Sequence, residues 1–144
     1  MKKTFTLVLF SLLITFQSLA FAESSKSIGN YIVHFNALST ETLPPTVARA
    51  YGITRSKNKG LLNISVLKKG AGFEGVEADI EVSATNLTGQ FRNIPLRKII
   101  EQSAVYYISE FSVTDRETLD FTIKVKTADN QTGNLKLRQQ FFSN

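Results

Sequence analysis

Through most of the chain, apolar and polar residues alternate one by one. The clearest run is Val76 to Ala84, where Val76, Ala78, Ile80, Val82 and Ala84 share one parity and Glu77, Asp79, Glu81 and Ser83 the other. Successive side chains of a strand point to opposite faces, whereas a helix would scatter these apolar positions around its circumference. Leu119, Phe121, Ile123 and Val125 repeat the pattern, followed by the turn-forming Asp129-Asn130-Gln131-Thr132-Gly133-Asn134 and then Leu135, Leu137 and Phe141. This predicts a hairpin whose loop is longer than the tightest two-residue turn. Further strands are predicted at Tyr31–Phe35, at Leu62–Val66 up to the Lys68–Gly72 turn, and between Ala104 and Val113.

Two segments break the alternation. Thr42 to Gly52 reads as a helix of two turns at most, because proline suits a first turn and Gly52 can take the left-handed position after the last. Pro95, within Ile94–Glu101, cannot donate to a sheet ladder, so an edge strand or a crossing segment is expected there. About seven strands with turns at regular intervals predict an all-β fold, an immunoglobulin-like antiparallel β-sandwich with one short helix. A small β-barrel gives a similar pattern and is the alternative.

The N-terminus changes the picture of where the domain begins. Met1-Lys2-Lys3 precedes an apolar run from Phe5 to Phe16, and Ala20-Phe21-Ala22 precedes a polar stretch. A positive start, a short apolar run and small residues at −3 and −1 are what a signal peptidase reads. Residues 1–22 are expected to be a cleaved signal peptide, 23–27 a short flexible lead, and 28–144 a single domain. The run is shorter than the roughly 20 apolar residues of a bilayer-spanning helix. With 17 Lys+Arg and 12 Asp+Glu the chain carries +5, which falls to +3 when Lys2 and Lys3 leave with the signal. That excess is too mild and too dispersed for a nucleic-acid footprint. The chain has no cysteine. Disulfides, thiolate metal sites and thiol catalysis are therefore excluded. A cysteine-free exported domain fits a bacterial periplasm, with secretion as the alternative.

The segments Gly29-Asn30-Tyr31-Ile32-Val33-His34-Phe35-Asn36-Ala37-Leu38 and Val47-Ala48-Arg49-Ala50-Tyr51-Gly52-Ile53-Thr54-Arg55-Ser56-Lys57-Asn58 resemble a family of small exported proteobacterial proteins known only as a domain of unknown function. The resemblance extends from about Ile28 to the C-terminus. It implies a periplasmic or secreted β-sandwich, and brings no activity, cofactor or catalytic residue.

Candidate chemistry is sparse. His34 is the only histidine, and on a strand it shares a face with Ile32 and Asn36. Without cysteine or a second histidine, a zinc or copper site lacks ligands. No Gly-x-Ser-x-Gly turn supplies a nucleophile. Glu77, Asp79 and Glu81 lie along one strand face, but at about 6.5–7 Å spacing a single strand cannot wrap a cation. Gly70-Ala71-Gly72-Phe73-Glu74-Gly75 lacks the ending and following helix of a phosphate loop and reads as a turn. The remaining candidate is an interaction patch: Arg49, Tyr51, Arg55, Ser56, Lys57 and Asn58 around the helix end and its basic loop, with His34 and Asn36 as a polar pair. The function expected is a non-enzymatic periplasmic binding or protein-interaction module without a cofactor, its partner another periplasmic or envelope protein. The alternatives are an enzyme or sugar-binding accessory with a groove site, and an envelope-assembly factor using an edge strand.

Overall fold

A computed structural model describes residues 24–70, 72 and 74–143; the expected signal peptide lies outside these. Two antiparallel sheets pack face to face, and neither closes into a barrel. The first sheet contains β1 (Ser24–Ile28), β2 (Tyr31–Ser39), β3 (Lys59–Lys68), β8 (Ala104–Ser112) and β7 (Arg97–Glu101), in that spatial order. The two-residue β4 (Glu74–Gly75) pairs with the far end of β3. The second sheet has the order β10 (Thr132–Gln140), β9 (Thr118–Thr127), β5 (Ala78–Asn86), β6 (Phe91–Asn93). Between β2 and β3 the chain makes a 3-10 turn (Thr40–Thr42) and a short helix, α1 (Pro45–Ala50).

The alternation sorts the core. Val33, Leu62, Ile64 and Val66 of the first sheet and Leu119, Phe121, Ile123 and Val125 of the second are all buried between the sheets. Burying each such side chain stabilises the fold by about 1.5–3 kcal/mol. Phe111 of β8 meets Phe121 of β9 edge-to-face at 5.5 Å between ring centres, and Phe141 at 5.6 Å. Such aromatic contacts favour this geometry because each ring has a negative face and a positive edge. Hydrogen bonds also link the two sheets, among them the Ala78 N–H donating to Tyr107 Oη at 3.0 Å.

Two expectations are refined and one corrected. The hairpin turn spans Thr127–Gln131, where the Thr127 hydroxyl accepts from the Gln131 N–H at 3.0 Å and Asn130 takes a positive φ of 63°. Pro95 lies in the crossing between sheets, after β6 of the second and before β7, an edge of the first. The flexible lead expected at 23–27 is, from Ser24, part of β1, paired residue for residue with β2. Only Ile28 of β1 is buried. Backbone pairing, with Lys26 Nζ donating to Asn134 O at 3.2 Å, holds this polar edge without an apolar pattern to announce it.

Candidate functional site

The central strands of the first sheet also have an outer face, and its sequence repeats in mirror image. Along β2 the outward residues are Ile32, His34, Asn36 and Leu38; along β3 they are Leu67, Ser65, Asn63 and Leu61. The antiparallel register sets Ile32 against Leu67, His34 against Ser65, Asn36 against Asn63 and Leu38 against Leu61. Four polar side chains thus form a block at the middle of the sheet, with an aliphatic pair at either end. Directly opposite side chains in such a ladder lie about 4.5–5.5 Å apart at Cβ.

One end of this face is roofed. Ala48 of α1 and Ile53 just after it are buried against Leu61 and Ile108, with Leu38, Leu43, Tyr51, Ile99 and Tyr106 around them. The helix ends as expected, with the Ile53 N–H donating to Ala48 O at 2.8 Å and Gly52 at φ 64°. Glycine takes that left-handed conformation at no steric cost, and the turn drives Ile53 down onto the sheet. The roof is tied at its edges. Tyr51 Oη donates to Glu101 Oε2 at 2.6 Å, and Arg97 Nη2 donates to Tyr51 O, both from edge strand β7. Glu110 Oε1 accepts from the Thr54 N–H at 2.9 Å. The carboxylate of Glu101 raises the pKa of the Tyr51 phenol, with desolvation adding to it.

Between roof and sheet lies a pocket of about 160 Å³, lined chiefly by Leu38, Leu43, Val47, Tyr51, Ile53, Leu61, Ile99, Tyr106 and Ile108, with Asn36 and Asn63 on its floor. Among the described residues three buried side-chain oxygens have no hydrogen-bond partner: Asn36 Oδ1, Asn63 Oδ1 and Ser39 Oγ. Two of the three belong to this pocket. No lining side chain is charged at neutral pH.

The expected interaction patch separates into parts. Asn36 and Tyr51 line the pocket, and His34 lies two residues along the same face from Asn36. Arg55, Ser56 and Asn58 hold the roof in place. Arg55 Nη2 donates to Glu41 O at 2.8 Å, the Ser56 N–H to Thr40 Oγ1 at 2.9 Å, and the Asn58 N–H to Ser56 Oγ at 3.1 Å. Arg49 and Lys57 point to solvent. Sequence reasoning missed Asn63 and Ser65, whose signal was present: two polar residues between Leu61 and Leu67 at the parity opposite to Leu62, Ile64 and Val66.

The carboxylate row at Glu77, Asp79 and Glu81 faces lysines. Asp79 sits opposite Lys126 and Glu81 opposite Lys124, while Glu77 Oε1 lies 3.0 Å from Lys98 Nζ and raises that lysine's pKa. Among the described residues no three His, Cys, Asp or Glu side chains are grouped as a metal site.

The family model described as "Domain of unknown function (DUF4426)" matches residues 25–144. A crystal structure of a DUF4426 family protein from Pseudomonas aeruginosa is 34% identical, with a TM-score of 0.70 over 83% of this chain and 94% of that one. A copper-bound variant of FetP from uropathogenic Escherichia coli strain F11 is 12% identical, with a TM-score of 0.55 over 83% of this chain and 95% of that one. The "as isolated" form of FetP is 11% identical, with a TM-score of 0.51 over 83% and 91%. The FetP likeness is one of fold alone. No curated protein matches the chain.

Proposed function

The chain belongs to the DUF4426 family, and on that footing we propose that it is a non-enzymatic binding module of the periplasm whose site is the roofed pocket of the first sheet. The observation that carries this reading is a pocket of about 160 Å³ between α1 and the first sheet, walled by aliphatic and aromatic side chains with Asn36 and Asn63 on its floor. A buried polar group without a partner costs about 1–3 kcal/mol. Asn36 Oδ1 and Asn63 Oδ1 carry that cost, which sets this floor apart from a face built for stability alone. Apolar walls around a few convergent polar groups are the usual make-up of a small-ligand site. The lining carries no carboxylate pair, histidine or lysine for acid–base or nucleophilic work, which favours binding over turnover.

The N-terminal sequence supports the location. Mature protein from a periplasmic fraction is expected to begin at Glu23; a chain retaining Met1–Ala22 in the membrane contradicts the assignment. The site is tested by plugging it. Val47 of α1 lines the pocket and is 37% exposed, so Val47→Trp fills the space without disturbing the main core. Native mass spectrometry of the protein from expressing cells is expected to show a small-molecule adduct that Val47→Trp lacks. Identical spectra for the two proteins contradict the site.

A further inference from the structure

We propose that the chain forms a two-fold dimer by pairing edge strand β7 of the first sheet with β7 of a second copy, antiparallel and centred on Ile99. The first sheet then continues into that of the copy across the axis. The dimer goes beyond the binding reading and does not depend on what the pocket holds.

β7 ends the first sheet, and among the described residues no strand pairs with its other edge. Arg97, Lys98, Ile100 and Glu101 are exposed there, Ile100 by 59%. An open edge of this kind is a template for another strand unless its sequence opposes pairing. The other edges do not suit a copy of themselves. β10 carries Lys136 and Arg138 and no acid, β1 carries Lys26 alone, and β6 is three residues long. β7 is self-complementary. Reading Arg97-Lys98-Ile99-Ile100-Glu101 against itself with Ile99 on the axis sets Arg97 opposite Glu101 and Lys98 opposite Ile100. A two-fold axis makes each of these pairs twice.

The backbone permits this register. Gln102 and Ser103 alone join β7 to β8, with Gln102 at φ 53°, so Glu101 and Ala104 close the hairpin as a hydrogen-bonded pair. Antiparallel bonding alternates, so Arg97, Ile99 and Glu101 bond to β8, while Lys98 and Ile100 aim their N–H and C=O groups at the open edge. In the proposed register these two residues meet each other and exchange backbone bonds on both sides of the axis. A slip of one residue opposes free groups to bonded ones. A slip of two sets Lys98 against Lys98 or Ile100 against Ile100 and loses both ion pairs. Neither charge is exhausted within the chain. Arg97 Nη2 donates to Tyr51 O and Glu101 Oε2 accepts from Tyr51 Oη, which leaves other guanidinium N–H groups and Glu101 Oε1 for the copy. Glu77 Oε1, 3.0 Å from Lys98 Nζ, neutralises that lysine, and its apolar stem can cover Ile100 of the copy. Such charge pairs fix register more than affinity.

Sedimentation velocity of the full mature protein is expected to show a monomer–dimer equilibrium with a Kd of about 10–100 µM, as suits a small interface. Arg97→Glu sets carboxylates opposite each other and is expected to weaken the dimer at least about tenfold; Arg97→Glu/Glu101→Arg restores it. Ile100→Pro removes an outward N–H that β8 does not use and abolishes the dimer at an unchanged melting temperature. Should that strand melt instead, a cysteine series decides. The chain has no cysteine, so one introduced thiol reads the register by itself. Ile99→Cys places two thiols on the axis in a non-hydrogen-bonded pair about 4.5 Å apart at Cα, within the roughly 4.4–6.8 Å that a disulfide spans. Mild oxidation is expected to link this variant into a dimer. In Lys98→Cys and Ile100→Cys the two thiols are offset by two residues, about 6.5–7 Å along the strand, and no link is expected. A monomer at every concentration up to about 500 µM, a dimer that survives Ile100→Pro, or equal crosslinking at the three positions overturns the proposal.

Discussion

The outer face of the second sheet carries Asp79 and Glu81 opposite Lys126 and Lys124, and Asp120 bonded to Arg138 at 2.6 and 2.8 Å. The outer face of the first sheet carries Leu38, Leu61, Ile99 and Ile108 around two unpartnered asparagines, under a helix tied down at its edges. Both faces belong to sheets whose inner sides alternate in the same way and pack into the same core. On the second sheet these charges face charges of opposite sign across the ladder and water does the rest, the arrangement of a face with no other task. On the first, apolar area is covered by a segment recruited for that purpose, and the coverage is incomplete around the polar block. Stability alone would fill that space with an aliphatic side chain. That difference is why the proposed site lies on this side of the molecule.

The contrast can be broken most forcefully at the roof. Ile53→Ala removes a buried anchor of α1 and is expected to cost about 2–5 kcal/mol, measured by urea unfolding. Thr122→Ala, at the middle of the opposite outer face, is expected to stay within about 0.5 kcal/mol. Next in size are the asparagines. Asn36→Leu/Asn63→Leu is expected to stabilise the protein by about 1–3 kcal/mol in the same urea unfolding, since it removes two unsatisfied buried oxygens. A loss of stability there would mean that the asparagines serve the fold.

Tyr51→Phe deletes the hydroxyl that holds the roof to Glu101. Amide hydrogen exchange is expected to quicken within residues 45–54 and to stay unchanged in β9 and β10, since local opening follows local tethers. The smallest effect belongs to the charged face. Arg138 holds Asp120 below the ordinary carboxylate value of 3.8, and the Thr127 hydroxyl, 2.5 Å from Asp129 Oδ1, does the same there with help from Tyr31. Their folded pKa values lie below the unfolded ones, so the stabilisation is full above that value and is lost as pH falls from it through the folded values. Melting temperature is expected to drop on acidification below about pH 4, with a shallower drop in Arg138→Gln.

The sandwich was legible because its inner faces obey one rule: Val82, Ala84, Leu119, Phe121 and Ile123 announce a strand face wherever they occur. Short edges were not, since β1, β4 and β6 are defined by backbone pairing and carry little apolar pattern of their own. The helix and its glycine end were visible from Pro44, Pro45 and Gly52. Its destination was not, because only the paired register of β2 and β3 shows that Asn36 faces Asn63. Arg55, Ser56 and Asn58 drew attention as a basic loop, yet their bonds to Glu41 and Thr40 and within the loop brace the roof. A charged residue next to a glycine attracts notice in a sequence, whereas a polar residue on a strand looks like an ordinary solvent position until a roof appears above it.

The most direct test of the central claim, that the roofed pocket binds small molecules, is an NMR titration of the mature protein with phenol as a one-ring probe, followed through backbone and asparagine side-chain amides. Saturable shifts are expected at Asn36, Asn63, Ile99, Ile108 and the 45–54 segment, with β5, β9 and β10 unmoved. Shifts centred on the charged outer face of the second sheet, or scattered over both faces without saturation, would contradict the account.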